Sequence, residues 1–139
     1  MIKRITILFL LVFFISVSAS EEKIFSHNGL ERSYHLHIPQ DLEHKAPLVV
    51  VIHGYTSSAE NIMSYSKMNE VADREGFAVI YPQGTIDSQG NAFFNVGYEF
   101  NNHSTIDDVS FIRELVIHVR DTYQLSEKNI FATGMSNGG

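Results

Sequence analysis

The chain has 139 residues, 44% of them hydrophobic, a formal net charge of −6 and no cysteine. That is a single-domain length with the apolar content of a globular protein, long enough to bury a sizeable core. The acidic, dispersed charge offers no basic face for nucleic acid, and the lack of thiols excludes disulfides, thiolate metal sites and a cysteine-borne lipid anchor.

Lys3 and Arg4 open the chain with positive charge, and the apolar run Ile5 to Val17 follows. Small residues Ser18-Ala19-Ser20 and the acidic pair Glu21-Glu22 come next. This is the order of a secretory signal. A membrane-spanning helix fits less well: the thirteen residues from Ile5 to Val17 reach only about 20 Å, short of the roughly 30 Å hydrocarbon core. Residues 1–20 are therefore expected to be a signal peptide cut after Ala19 or Ser20. Residues 21–139 would be exported to the periplasm or the medium, with no stable membrane anchor.

Arg32 to Ile38 alternates, with Tyr34, Leu36 and Ile38 on one face and Ser33, His35 and His37 on the other, which predicts a half-buried antiparallel strand. Pro39 ends it. Leu48 to Ile52 is apolar at every position and rich in β-branched residues, as a parallel strand covered on both faces requires. Ser57 to Glu75 reads as helix in two pieces, with Met68, Val71 and Ala72 on one side and Gly76 at the C-terminal cap. Phe77 to Tyr81 is a second buried-type strand, stopped by Pro82. The stretch Gln83 to Thr105 carries Phe93, Phe94, Tyr98 and Phe100 and is long for a connection, which points to binding or disorder. A helix is expected from about Thr105 to Tyr123, capped by Thr105 or Asp107. Asp107 and Asp108 would lie at its positive end, and its buried stripe would be Ile112, Leu115, Val116, Val119 and Tyr123. Asn129 to Gly134 is a third parallel strand. Strands alternating with helices predict an α/β fold.

Gly134-Met135-Ser136-Asn137-Gly138 matches Gly-x-Ser-x-Gly. A nucleophilic serine must be lifted clear of the sheet on a tight turn, which crowds the backbone and calls for glycine two residues to either side. By composition alone, about one chain of this length in twenty would show the pattern, so a glycine-rich turn with an incidental serine is the plainer alternative. Its place directly after a buried-type strand is what the turn requires. A second constellation, His53-Gly54-Tyr55-Thr56, follows the Leu48 to Ile52 strand. An oxyanion hole takes one N–H from the residue after the serine, here Asn137, and one from a loop after an earlier strand, here Tyr55 or else Thr56.

The stretches PLVVVIHG, NEVADREGFAVIYPQGT, DDVSFIRELV and NIFATGMSNGG resemble the secreted α/β-hydrolase esterases of the polyhydroxybutyrate depolymerase and feruloyl esterase type. They cover most of Arg32 to Gly139. The resemblance implies the α/β-hydrolase fold, a mostly parallel sheet with helices on both faces. It implies Ser136 as nucleophile, Tyr55 and Asn137 as oxyanion-hole backbone, and Gly134 and Gly138 as the glycines of the nucleophile elbow. It implies no metal or cofactor. The substrate class it suggests is a feruloyl or acetyl ester on a polysaccharide, or a polyhydroxyalkanoate. An aspartate and then a histidine would follow further along the chain. His53 lies where the oxyanion loop is expected, His103 sits in the long loop, and Asp107 and Asp108 read as capping groups. His35 and His37 share a strand face without a third metal ligand. The expectation is the N-terminal part of an esterase, cut off after the serine turn, inactive alone, with the last strand as an exposed apolar edge. A non-catalytic binding protein that keeps the fold is the alternative.

Overall fold

The computed structural model describes residues 20–99 and 103–139. The expected signal peptide (apart from Ser20) and Phe100 lie outside the described residues. A sheet of five strands is ordered β1-β2-β4-β3-β7. Its strands are β1 (Glu21–His27), β2 (Leu30–His37), β3 (Leu48–Ile52), β4 (Ala78–Pro82) and β7 (Ile130–Gly134). Strands β1, β2 and β4 pair antiparallel, whereas β4, β3 and β7 run parallel. Two helices, α1 (Ala59–Ser66) and α2 (Met68–Glu75), connect β3 to β4, and α3 (Asp108–Thr122) connects to β7. A small hairpin, β5 (Thr85–Ile86) with β6 (Ala92–Phe93), sits between β4 and α3. This is the expected α/β architecture, with β3 at the centre of the parallel part.

The two-residue period of the strands sorts their side chains into two cores. Tyr34, Leu36, Leu48, Val50, Ala78 and Ile80 point to one face and meet Phe111, Leu115 and Val119 of α3. Val51, Val79 and Tyr81 point to the other and meet Ala59, Ile62 and Ala72 of α1 and α2. All five residues of β4 are buried, as two covered faces demand. Each fully buried Leu, Val or Phe contributes about 1.5–3 kcal/mol.

The helical stretch after β3 does break in two. Ser58 caps α1 by accepting from the Asn61 N–H. Lys67, at φ +55, turns the chain into α2, and Gly76, at φ +75, closes it.

Four features differ from the sequence expectation. Strand β1 is additional: it joins β2 through Asn28-Gly29, both at positive φ, the backbone that a two-residue hairpin needs. The polar face of β2 is only partly solvated, with Ser33 and His35 half-buried. His37 is buried and bonds Asp73 of α2 at 2.7 Å. Only Asp107 caps α3, accepting from Ser110 N–H. Asp108 instead turns inward and forms a buried ion pair with Arg32 of β2 at 2.6 Å. The buried line of α3 therefore runs Asp108, Phe111, Leu115 and Val119, with Ile112 and Val116 flanking it. Arg32 also lies 3.8 Å above the Phe111 ring. At the sheet edge, β7 is largely exposed, Phe131 by 57%.

The two neighbouring aspartates should separate in a denaturation experiment. Asp108→Ala strands a buried guanidinium and is expected to cost about 3–5 kcal/mol. Asp107→Ala removes one cap bond and should cost about 1 kcal/mol. Urea unfolding of the two variants checks the order, and equal losses would contradict the inward placement of Asp108.

Candidate active site

Parallel pairing sets Ile52 opposite Gly134, so β3 and β7 end side by side. The chain leaves β7 through Met135, whose N–H donates to the Ile52 carbonyl at 3.1 Å. Ser136 follows at φ +53 and starts a short 3-10 turn to Gly138. A serine in the left-handed region is uncommon and costs on the order of 1–3 kcal/mol, so it persists only where its surroundings impose it. The side chain of Ser136 is exposed at the top of the sheet.

The glycines are required by space. A Cβ on Gly134 would run into the Gly138 carbonyl, and one on Gly138 into the carbonyls of Ile52 and His53. Gly54 faces the same turn: a Cβ there would stand 3.1 Å from the Met135 carbonyl and 3.5 Å from Ser136 Cβ. The structure thus brings together the two motifs that the sequence held far apart, with Gly54 against Ser136.

Asn137 follows Ser136 in the turn, and Tyr55 follows Gly54 in the facing loop. Thr56, the alternative donor, is engaged elsewhere: its N–H donates to the Ala92 carbonyl at 2.9 Å. Asn137 is buried, and its side chain makes a two-way bond with one residue. Its Oδ1 accepts from Phe94 N–H at 2.8 Å and its Nδ2 donates to Phe94 O at 2.9 Å. The Tyr55 hydroxyl donates to Asp87 Oδ2 at 2.7 Å and accepts from Asn91 at 3.0 Å. This bond and neighbouring main-chain donors hold the Asp87 carboxyl below its ordinary value.

His53 is fully buried between these parts, its ring 4.7 Å from that of Phe94. Gly84 N–H donates to its Nε2 at 2.9 Å, and Gln83 Nε2 lies 3.2 Å from the same atom. Nε2 is therefore unprotonated, and Nδ1–H donates to the Gly54 carbonyl at 2.8 Å. Burial lowers its pKa, which favours this neutral ring. With both nitrogens occupied, His53 is a structural post for the Gly54 loop and cannot take a proton from Ser136. None of the described histidines bonds Ser136. Among the described residues no three His, Asp or Glu side chains cluster as a metal site.

Two concavities flank the turn. One, about 290 Å³, is lined by Gly134 and Met135 with Ile62, Tyr65 and Met68. The other, about 150 Å³, is lined by Asn137 and Gly138 with Phe94, Val109 and Ile112. A third, about 510 Å³, lies among Lys45, Arg120 and Ser126, at the opposite end of the strands from the serine.

The profile of the family described as "Esterase PHB depolymerase" matches residues 32–139. The chain is 26% identical over 116 residues to the bifunctional acetylxylan esterase/xylanase XynS20E of Neocallimastix patriciarum, covering 80% of this chain and 15% of that protein. It is 24% identical over 125 residues to feruloyl esterase B of Thermothelomyces thermophilus, covering 90% and 42%. The solved acetyl xylan esterase from Aspergillus awamori superposes with a TM-score of 0.69 at 20% identity, over 86% of this chain and 43% of that one. The chain thus spans less than half the length of each of these proteins.

Two outcomes follow from the geometry. At pH 6.5, the ordinary imidazole value, His53 should still give the ¹⁵N signals of a neutral ring with Nδ1 protonated. Folding prefers that form, so the stability it supports is present above 6.5 and is lost as pH falls below it. An imidazolium signal from His53 at pH 6.5 would contradict the network. Gly138→Ala must push a methyl group into two main-chain carbonyls and should lower stability by about 1–3 kcal/mol. A melting temperature equal to that of the parent would count against the close approach.

Proposed function

The chain belongs to the esterase PHB depolymerase family, and from that premise we propose that the protein carrying it is a secreted serine esterase with Ser136 as nucleophile. One observation carries this reading. An exposed serine is held at φ +53 between glycines that have no room for a side chain, against the Gly54 loop. Left-handed strain clusters at reactive positions, and here it falls on a serine whose turn also leaves no room for a Cβ at 134 and 138.

In this reading Ser136 Oγ attacks an ester carbonyl, and the negative oxygen that forms is held by the main-chain N–H groups of Asn137 and Tyr55. Collapse expels the alcohol and leaves an acyl-enzyme, which water hydrolyses. The base is expected outside the described residues, since both ring nitrogens of His53 are committed. The names of the relatives favour acetyl or feruloyl esters on polysaccharides as the substrate class, with polyhydroxyalkanoate as the alternative. Lys3, Arg4 and the apolar run behind them support export.

The test uses the protein expressed from its complete gene, with 4-nitrophenyl acetate and methyl ferulate as substrates. Ser136→Ala should lower kcat at least about a thousandfold, since the nucleophile acts as one unit with its base. Undiminished hydrolysis by that variant would remove Ser136 from the mechanism. Absence of hydrolysis in the parent protein would favour a binding role for the fold.

A further inference from the structure

The segment Gln83–Asn95 has no catalytic group of its own, yet it bonds Asn137 of the serine turn and His53, Tyr55 and Thr56 of the oxyanion loop. Its β5–β6 hairpin receives the Thr56 N–H at Ala92 O (2.9 Å) and the Tyr55 hydroxyl at Asp87 (2.7 Å). Its last residues hold Asn137 through the two bonds at Phe94. Its first residues hold His53 through Gly84 N–H. The stem is itself clamped by the buried ion pair. Arg32 donates to the Gln83 carbonyl at 3.1 Å, and Asp108 accepts from Asn95 N–H at 2.6 Å. One rigid segment therefore spans from the residue after Ser136 to the loop beside it.

From this bridging we infer that the Gln83–Asn95 segment is a brace that sets the distance between the two oxyanion donors, with the Tyr55 hydroxyl and Asp87 as its positioning residues. The inference rests on the assignment of Ser136, Tyr55 and Asn137 proposed above. Asp87 suits the task because its own place is fixed. Oδ1 accepts from the N–H groups of Gln89 and Asn91, and the Asp87 N–H donates to the Asn91 carbonyl. Oδ2 is left to hold Tyr55. A carboxylate accepting from a phenol gives a short, directional bond. It ties Tyr55 itself to the hairpin, beside the main-chain bond from Thr56 N–H to the Ala92 carbonyl. The Tyr55 main-chain donor bonds the tetrahedral oxyanion more strongly than the carbonyl oxygen of the bound ester. Loosening the tie should thus appear in kcat and not in KM.

The experiment takes the protein from its complete gene and compares Tyr55→Phe, Asp87→Ala and Asp87→Asn, with Ser88→Ala at the exposed hairpin tip as control. Removing an oxyanion donor outright costs about 10²–10³ in kcat. Misplacing one through Tyr55→Phe or Asp87→Ala should cost about tenfold, with KM changed less than about twofold. Inhibition by phenylboronic acid, which forms a tetrahedral adduct with the serine, should weaken by the same factor. Asp87→Asn can still accept from the main chain and bond the Tyr55 oxygen, so it should restore most of kcat. A rise in KM at constant kcat would overturn the brace. So would losses that vanish below the melting temperature of each variant, or unchanged boronate affinity. Should Asp87→Ala fail to fold, Tyr55→Phe, which removes one oxygen atom, decides alone. Failure of the esterase reading itself is seen separately, as activity retained in Ser136→Ala.

Discussion

Everything at the candidate site depends on how closely two main chains approach where β3 and β7 end. Parallel pairing puts Ile52 beside Gly134, and the next residues stay in contact: Met135 N–H on the Ile52 carbonyl, and Gly138 against the carbonyls of Ile52 and His53. No side chain fits between them. The glycines at 134 and 138 are thus one steric requirement met at two places, and Gly54 is tight against the same turn. The requirement can be met because β3 is central. Leu48 and Val50 are fixed by the α3 core and Val51 by the α1–α2 core, so the end of β3 cannot drift away from β7.

The serine turn carries strain, and the contacts around it are enough to hold it. A non-glycine residue in the left-handed region costs on the order of 1–3 kcal/mol. Against this stand the Met135 bond to Ile52, the Gly138 bond to Met135, the Gly139 bond to Ser136 and the pair between Asn137 and Phe94. Each contributes about 1 kcal/mol net. The two at Asn137 are buried, where breaking one would leave an unpaired amide and cost more. The balance favours a fixed, exposed Ser136. No element of the turn has to be stable alone.

How much of this could be read from the sequence follows the physics of each element. Leu48 to Ile52 was legible because a strand covered on both faces is apolar throughout, and Gly76 because a helix end favours a residue free to take positive φ. The serine turn was legible because its steric demand falls on glycine, which is visible as a letter. Strand β1 was overlooked although Asn28-Gly29 is a hairpin signal: Ile24 is 59% exposed, and Glu21-Glu22 also suit the flank of a signal peptide. Asp108 resembled a cap because it stands next to one, and burial next to Arg32 leaves no local trace. The hairpin β5–β6 has strands of two residues, too short for any period. The bond from Thr56 N–H to the Ala92 carbonyl is a contact 36 residues away along the chain, which no local pattern marks.

The buried pair of Arg32 and Asp108 shows what such a pair supplies that packing does not. As a source of stability it is close to break-even, since two charges must be stripped of water before they attract each other. Two apolar residues could fill the same space between β2 and α3, with Phe111 beside them. They could not satisfy the Gln83 carbonyl or the Asn95 N–H, the two main-chain groups at the ends of the brace that the pair now bonds. Left without partners, those groups would have to seek water, and both ends of the segment would move with them. The ion pair thus converts a connection between β4 and α3 into a clamped span of fixed length. That span is anchored in the α3-side core at its two ends and on the serine turn and the Tyr55 loop along its body. A contact between the second strand and the third helix, well away from Ser136, therefore bears on the geometry around the serine through the hydrogen bonds of this segment.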